Sequence, residues 1–322
     1  MKKINYLEIL KKSWKITWSN RYLWWFGFFL ALGKGGVNFN LPLNWNNQES
    51  KKEEEFIRVF NDFMAGYWEW LLAGLLFMIV LMLVIVVLKI ISRAGLIKGA
   101  AEIEKGKAFS FKEGFLQGKK YFWKIFLTGF LIAFFLIGII ITLFSPVAFL
   151  IYLKSYILAV ILGFLAVLLI IALAILVSFI KEYAYIYLVL SNLSVRSSLE
   201  NAYQLFRRNI WPSVIMMLIF IPIGLAIGIA AMLLLLTLVL VFLIIGLAAY
   251  LILAKIGVIL TVILGSLVFL ALVLLLQSIF ETFRQVAWVL FFKEIASVKV
   301  EEEVTEKETV KTAEKVLDAG EA

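Results

Sequence analysis

The chain contains no cysteine and no histidine among its 322 residues. The absence of cysteine excludes disulfides and thiolate chemistry, and the absence of histidine removes the commonest metal ligand and the commonest general base. Charged residues are scarce at 16%, against about a quarter in soluble domains. We therefore expect no catalytic residues, no bound metal and no cofactor, and a protein that is not an enzyme.

Apolar residues, in contrast, make up 63% of the chain, and the mean hydropathy is +1.00. A soluble protein of this size could not bury that much apolar surface. Several nearly uninterrupted apolar runs have the ~20 residues that cross a ~30 Å hydrocarbon core. The formal net charge is +9, and its basic residues cluster beside the apolar runs, which favours cytoplasmic loops over a nucleic-acid surface. The sequence therefore predicts a multi-pass protein of the cell membrane.

The runs predict an all-α polytopic membrane protein with about six transmembrane helices. The expected spans cover residues 22–33, 67–91, 121–144, 156–180, 212–245 and 256–290. The first run is short for a complete crossing. One helix over 212–254 would reach about 65 Å, so the fifth run must break, and residues 246–255 are the expected outer turn. Ser145 and Pro146 are expected to end the third span.

The spans form a single predicted transmembrane domain over residues 1–295. An outer loop is expected at 34–66, and an acidic, Glu/Lys-rich cytoplasmic tail at 296–322 is expected to be disordered. Residues 93–124 carry eight Lys/Arg against three Asp/Glu, which places this loop and both termini in the cytoplasm. About 20 residues precede the first apolar run, too many for a usual signal-peptide n-region, so the mature protein is expected to keep its N-terminus.

Similar segments precede the first, third and fifth spans. In each, a small residue (Ser13, Gly118 or Ala202) is followed by aromatic residues, basic residues and then the span. This predicts an internal repeat of three hairpins, each led by a cytoplasmic interfacial amphipathic helix. The alternative is that membrane interfaces favour Trp, Tyr, Lys and Arg in any protein.

The interfacial helices are expected to anchor the chain through aromatic side chains. In the first of them, Leu7, Leu10, Trp14 and Trp18 share one helical face. The tryptophans expected to act as interfacial anchors are Trp14, Trp18, Trp24, Trp123, Trp211 and Trp288.

Three segments carry a resemblance to known proteins. They are Trp14 to Trp24 with its Asn20-Arg21 pair, Phe109 to Phe115 leading to Trp123, and Phe283 to Phe291. Together they resemble uncharacterised bacterial six-span membrane proteins, and more loosely the membrane domain found with some glycerophosphodiester phosphodiesterases. The resemblance implies a six-span architecture over about residues 4–295. It does not imply phosphodiesterase activity, because those enzymes carry it in a separate soluble domain with catalytic His and Glu.

Few polar residues near the spans are candidates for function. Gln277, Glu281 and Arg284 share one face near the inner end of the sixth span, and Glu182 occupies the matching end of the fourth. They could line a cavity or contact a lipid headgroup; the alternative is a structural Glu281–Arg284 pair. Lys89 is expected to extend to the lipid headgroups.

A small-residue motif in the fifth span, Gly224 and Gly228, is typical of helix packing within or between chains. The sequence favours a non-enzymatic role in membrane organisation or in lipid or partner interaction. The expected partners are the bilayer, anionic lipids, a second copy or another membrane protein, and no nucleic acid. A transporter or channel for a lipid-like or small solute is the alternative.

Overall fold

The structure is a computed structural model that describes the backbone of residues 4–33 and 50–320 and the side chains of residues 4–33 and 66–296. This part of the chain is all-helical and contains no strand, in agreement with the predicted class. Its helices are α1 (Tyr6–Ser19), α2 (Leu23–Leu32), α3 (Ser50–Glu104), α4 (Phe111–Tyr152), α5 (Tyr156–Leu190), α6 (Val195–Arg208) and α7 (Ile210–Gly320).

Four helical stretches are long and apolar enough to cross a membrane. They are Gly66–Glu104, Phe111–Tyr152, Tyr156–Leu190 and Ile210–Ala296. Helix α2 is also apolar, but its 10 residues rise only about 15 Å, half the hydrocarbon thickness. The apolar helices identify the chain as a membrane protein, as its composition predicts.

Helix α7 turns back on itself at Ala254, whose φ of 52° and ψ of −136° lie outside the helical region. A Cβ atom placed on Gly257 would overlap the carbonyl of Ala249, and one placed on Gly265 would lie 3.0 Å from the ring of Phe242. The nearer pair, Gly257 and Ala249, and the more distant pair, Gly265 and Phe242, both lie on opposite sides of Ala254. The first and second halves of α7 therefore run antiparallel. The turn lies within the range where the length of the apolar run requires one.

Buried side chains concentrate at one end of the long helices, which we call the packed region. It contains α1, α2 and α6 together with the adjoining parts of the other helices, namely residues 91–101, 114–128, 179–189, 213–220 and 278–295. The remaining parts, residues 68–88, 130–175 and 221–276, are called the apolar segments and are largely exposed; Ile157, for example, is 79% exposed. Such an extent of exposed apolar surface requires a lipid environment.

Glycines allow the closest helix contacts in the packed region. A Cβ atom on Gly95 would lie 2.8 Å from the carbonyl oxygen of Gly114, and one on Gly118 would overlap the carbonyl of Ile91, where α3 meets α4. A Cβ atom on Gly27 of α2 would overlap the Ser278 carbonyl of α7 in the same way. A side chain does not fit at these positions, because the neighbouring atom belongs to the backbone and cannot rotate away.

Polar caps and a glycine turn define the helix ends beside these contacts. Ser110 and Glu113 form a capping box at the start of α4, with Glu113 accepting from the Ser110 amide at 2.8 Å and Ser110 accepting from the Glu113 amide at 3.3 Å. Gly106, with φ of 76°, forms the turn between α3 and α4. The predicted basic loop at 93–124 is therefore mostly helix, with only a short turn near its middle.

Helix extends into two segments outside the predicted spans. The outer loop expected at 34–66 contains helix from Ser50 onward, where residues 50–65 hold several Lys and Glu and no glycine or proline. Helix α7 continues to Gly320 within the acidic tail expected at 296–322, and the bounds of the domain stay predictions. Residues 34–49 lie outside the described residues.

The third span does not end at Pro146, because α4 continues through it to Tyr152. Proline lacks the amide that would bond to the carbonyl four residues earlier, that of Thr142. The Ser145 hydroxyl donates to this carbonyl at 3.0 Å instead. The helix therefore tolerates proline, as transmembrane helices do when a neighbouring hydroxyl supplies the missing donor.

Helix α1 packs against the protein through a face that does not include its expected interfacial tryptophans. Its buried residues are Ile9, Ser13 and Thr17, while Trp14 and Trp18 are 48% and 41% exposed. The hydroxyls of Ser13 and Thr17 donate within the helix, at 2.7 and 2.8 Å, so these small residues can be buried without unpaired polar groups. The tryptophan face is thereby left open to the surroundings.

The three segments of the expected repeat are not equivalent. The first and third are separate helices, α1 and α6, each ended by an asparagine, Asn20 or Asn209. The second is the continuous beginning of α4, because no capping residue interrupts the chain between Lys120 and Tyr121. The repeat therefore stays a prediction.

We expect Gly118→Ala to destabilise the protein by about 2 kcal/mol, because the added methyl group must displace the Ile91 backbone. Gly138→Ala in the same helix is the matched control, since no described atom lies within 4 Å of its Cβ position. Thermal unfolding of both variants in detergent tests this expectation. Equal unfolding midpoints would show that the α3–α4 approach does not limit stability.

Candidate functional site

Charged side chains lie at the level where the apolar segments enter the packed region. This level is reached near Lys89 on α3, near Ser178 on α5, near Phe220 in the first half of α7, and near Glu281 in its second half. The charged residues at this level are Lys89, Arg93, Lys181, Glu182, Glu281 and Arg284. They follow directly after apolar runs, so the fold brings together charges that are distant in sequence.

These six residues line one cavity of about 540 Å³. Its lining holds four cations and two carboxylates, a net charge of +2. Much of the remaining wall is apolar and is formed by Leu30, Phe179, Met217, Phe220 and Trp288. The cavity therefore combines a basic wall with an apolar wall.

The Arg93–Glu182 ion pair and the side-chain amide of Gln285 join α3, α5 and α7 beside the cavity. The Arg93 Nη2 atom of α3 lies 2.8 Å from Glu182 Oε2 of α5, and Gln285 Nε2 of α7 donates to Glu182 Oε1 at 2.7 Å. The Arg93 guanidinium also lies 4.9 Å from the centroid of the Tyr185 ring. These contacts fix the two charges, which are each only 14% exposed.

Two further contacts position cations in the wall. Arg284 pairs with Glu281 at 2.9 Å, one turn apart on α7. Lys89 donates to the carbonyl of Gly33, at the C-terminus of α2, where a cation also opposes the negative end of the helix dipole. Lys89 therefore contacts the end of α2, and its expected position at the lipid headgroups stays a prediction.

The structure brings together three of the four residues predicted as a polar cluster. Glu182, Glu281 and Arg284 all line the cavity, whereas Gln277 is exposed on α7 and does not. Gln277 lies one helical turn before Glu281, which places it about 6 Å farther along the apolar segment. Including Gln277 in the cluster was therefore wrong.

Sequence reasoning missed four residues of this region, Lys89, Arg93, Lys181 and Gln285. It assigned the first three to interfaces or loops and did not consider the fourth. The sequence does contain a signal for the charged residues, because the first charges after three apolar runs all line the cavity. These are Lys89 and Arg93, Lys181 and Glu182, and Glu281 and Arg284. Runs that end at one membrane surface place their first charges at one depth.

Most of the expected tryptophan anchors are accessible. Trp14, Trp18, Trp123 and Trp211 are exposed, and Trp24 is half-buried, with its indole N–H donating to the Thr17 carbonyl at 2.9 Å. Trp288 was wrongly assigned as an anchor: it is 8% exposed and packs in the core. Its ring centroid lies 5.9 Å from that of Phe179 and 5.9 Å from that of Phe220.

The predicted glycine motif of the fifth span does not form a close helix contact in the described part of the chain. A Cβ atom on Gly224 would meet the Phe280 ring at 3.6 Å, an ordinary distance, and one on Gly228 would meet no atom within 4 Å. The spacing suits close packing, but the facing position holds a large side chain rather than a small one.

We expect Glu182→Gln to lower the free energy of unfolding by about 3 kcal/mol, because it leaves the Arg93 charge unpaired at a mostly buried position. Glu200→Gln is the control, since it removes an exposed partner of Arg196 on α6 and should leave stability unchanged. Thermal unfolding in detergent measures both. A small effect of Glu182→Gln would mean that water reaches Arg93 freely.

Comparisons with known protein families, curated proteins and solved structures find no match to the chain. The expected resemblance to phosphodiesterase membrane domains therefore stays a prediction. Function must be inferred from the packed region, the apolar segments and the basic cavity between them.

Proposed function

We propose that this chain is a non-enzymatic protein of the cell membrane that interacts with anionic lipids at its cytoplasmic face. The observation that carries the proposal is the position of the basic cavity, at the level where exposed apolar segments enter the packed region. Lipid phosphates lie at this level when the apolar segments occupy the hydrocarbon core. The lack of histidine and cysteine supports a role without catalysis.

We also propose six crossings arranged as three hairpins, with both termini in the cytoplasm. Helices α4 and α5 and the two halves of α7 supply two of the hairpins, joined at Lys154 and Ala254. The first would comprise α2 and α3. The basic residues around the packed region support its cytoplasmic location.

The exposed face of α1 supports contact with anionic lipids. Trp14 and Trp18 are exposed beside the exposed lysines Lys11 and Lys15. Tryptophan favours the headgroup layer, and each lysine near an anionic surface contributes about 1 kcal/mol of attraction. Helix α1 therefore suits a position along the inner surface of the membrane.

Cysteine labelling tests the orientation, because the chain has no native cysteine. Leu153→Cys and Lys255→Cys place thiols at the α4–α5 and α7 turns, and Lys105→Cys places one at the α3–α4 turn. In intact cells, a membrane-impermeant maleimide should label the first two variants and not the third. Labelling of all three from one side would contradict the proposed hairpins.

Quenching of tryptophan fluorescence tests the lipid preference. In reconstituted protein, brominated phosphatidylglycerol among unlabelled phosphatidylcholine should quench more strongly than the reverse combination, because anionic lipid gathers near the exposed tryptophans. Lys11→Gln/Lys15→Gln should reduce the difference. The control, Lys154→Gln/Lys255→Gln, removes two exposed lysines at the opposite ends and should not. Equal quenching by both lipids in the unmodified protein would refute the proposal.

Transport of a lipid-like solute is the second candidate function. An apolar cavity of about 820 Å³ lies between the two halves of α7 near their turn, at the opposite end from the basic cavity. A transported amphiphile would require sites at both ends of the apolar segments. Movement of a labelled phospholipid between leaflets of proteoliposomes, absent from protein-free vesicles, would favour this function.

A further inference from the structure

We propose that the basic cavity binds the phosphate group of an anionic membrane lipid, with Lys89 and Lys181 as the cations that recognise it. The inference rests on the proposed function and names the ligand group and its site. It concerns a specific site within the packed region, separate from the lysines of α1.

Among the residues whose side chains are described, the cavity holds more cations than carboxylates. Arg93 is paired with Glu182, and Arg284 is paired with Glu281. Lys89 donates to the neutral carbonyl of Gly33, and Lys181 forms no ion pair or hydrogen bond among the residues whose side chains are described. The described lining therefore carries two ammonium groups in excess of its arginine–carboxylate pairs, which matches the charge of a phosphate monoester.

Burial makes this imbalance costly when the cavity is empty. Lys89 and Lys181 are half-buried at the level where the hydrocarbon begins, and partly desolvated charges are costly unless an opposite charge accompanies them. The Arg93 Nε atom is also buried and has no hydrogen-bond partner in the described part of the chain. A bound anion with several acceptor oxygens would compensate these charges and could supply acceptors for buried donors.

The apolar wall selects a lipid over a small soluble anion. Leu30, Met217 and Phe220 face the same cavity as the lysines. The lysines follow the apolar segment of α3 and that of α5, so an acyl chain attached to the phosphate would continue beside residues that are exposed to lipid. A free phosphate ion would gain nothing from this wall.

Binding of dihexanoyl phosphatidic acid to the full chain in a neutral detergent tests the inference, by isothermal titration calorimetry. Lys89→Gln/Lys181→Gln should weaken binding about tenfold or more, since each lysine near a lipid phosphate contributes several-fold. The control Lys119→Gln/Lys120→Gln removes two exposed lysines of α4 and should change affinity less than about twofold. Lys89→Arg/Lys181→Arg keeps both charges and should retain most of the affinity.

Several outcomes would overturn the inference. Equal weakening by the two glutamine pairs would assign binding to general surface charge, and the preference for anionic vesicles would then stand without this site. Inorganic phosphate that binds as tightly as the lipid would make a soluble anion the ligand. An unmodified protein that binds neither phosphatidic acid nor anionic vesicles would refute the proposed function as well.

Discussion

Helices that face lipid gain little from apolar contact with one another, because the surrounding acyl chains are as apolar as leucine. Association must therefore come from close backbone approach and from polar contacts. Among the described residues, both kinds of contact join different helices mainly at one end of the long helices. Gly95 and Gly118 bring α3 onto α4, Gly27 brings α2 onto α7, and Glu182 joins α3, α5 and α7 through Arg93 and Gln285. The fold depends on these contacts in the packed region.

The same confinement creates the cavity. Glycine contacts draw the helices together inside the packed region, while the apolar segments beyond it remain largely exposed. The cavity lies at the transition between the two. Charged residues at this depth can reach the polar surface with part of their side chains, which is where cations are least costly in a membrane protein. The charged side chains of the cavity therefore lie next to the close helix contacts.

Much of the helical framework follows from the sequence, because long apolar runs determine membrane helices by length and composition alone. The turn at Ala254 follows from the same length argument. The continuation of α4 through Pro146 and the burial of Trp288 do not follow from the length of the apolar runs. A hydroxyl at Ser145 compensates for the proline, and the burial of Trp288 depends on α5 and the first half of α7, which are remote in sequence. Such contacts are set by tertiary packing, which local periodicity does not encode.

The cavity was predictable only in part for a related reason. Glu281 and Arg284 are neighbours on one helix and can be found by spacing, and Glu182 can be found by matching depth. The role of Lys89 depends on α2 ending beside α3, since its partner is the Gly33 carbonyl. Helix length alone does not say where a helix too short to cross the bilayer will end. Partners of this kind require the three-dimensional fold.

The α7 turn has a close contact of its own, between Gly257 and the Ala249 carbonyl, whereas the α4–α5 turn has no such glycine contact or ion pair among the described residues. A bilayer thinner or thicker than the apolar segments changes helix tilt, at a modest free-energy cost per ångström of mismatch. We expect the α4–α5 turn to absorb this tilt by moving relative to the packed region. We expect the packed region, including the cavity, to keep its geometry across membranes of different thickness.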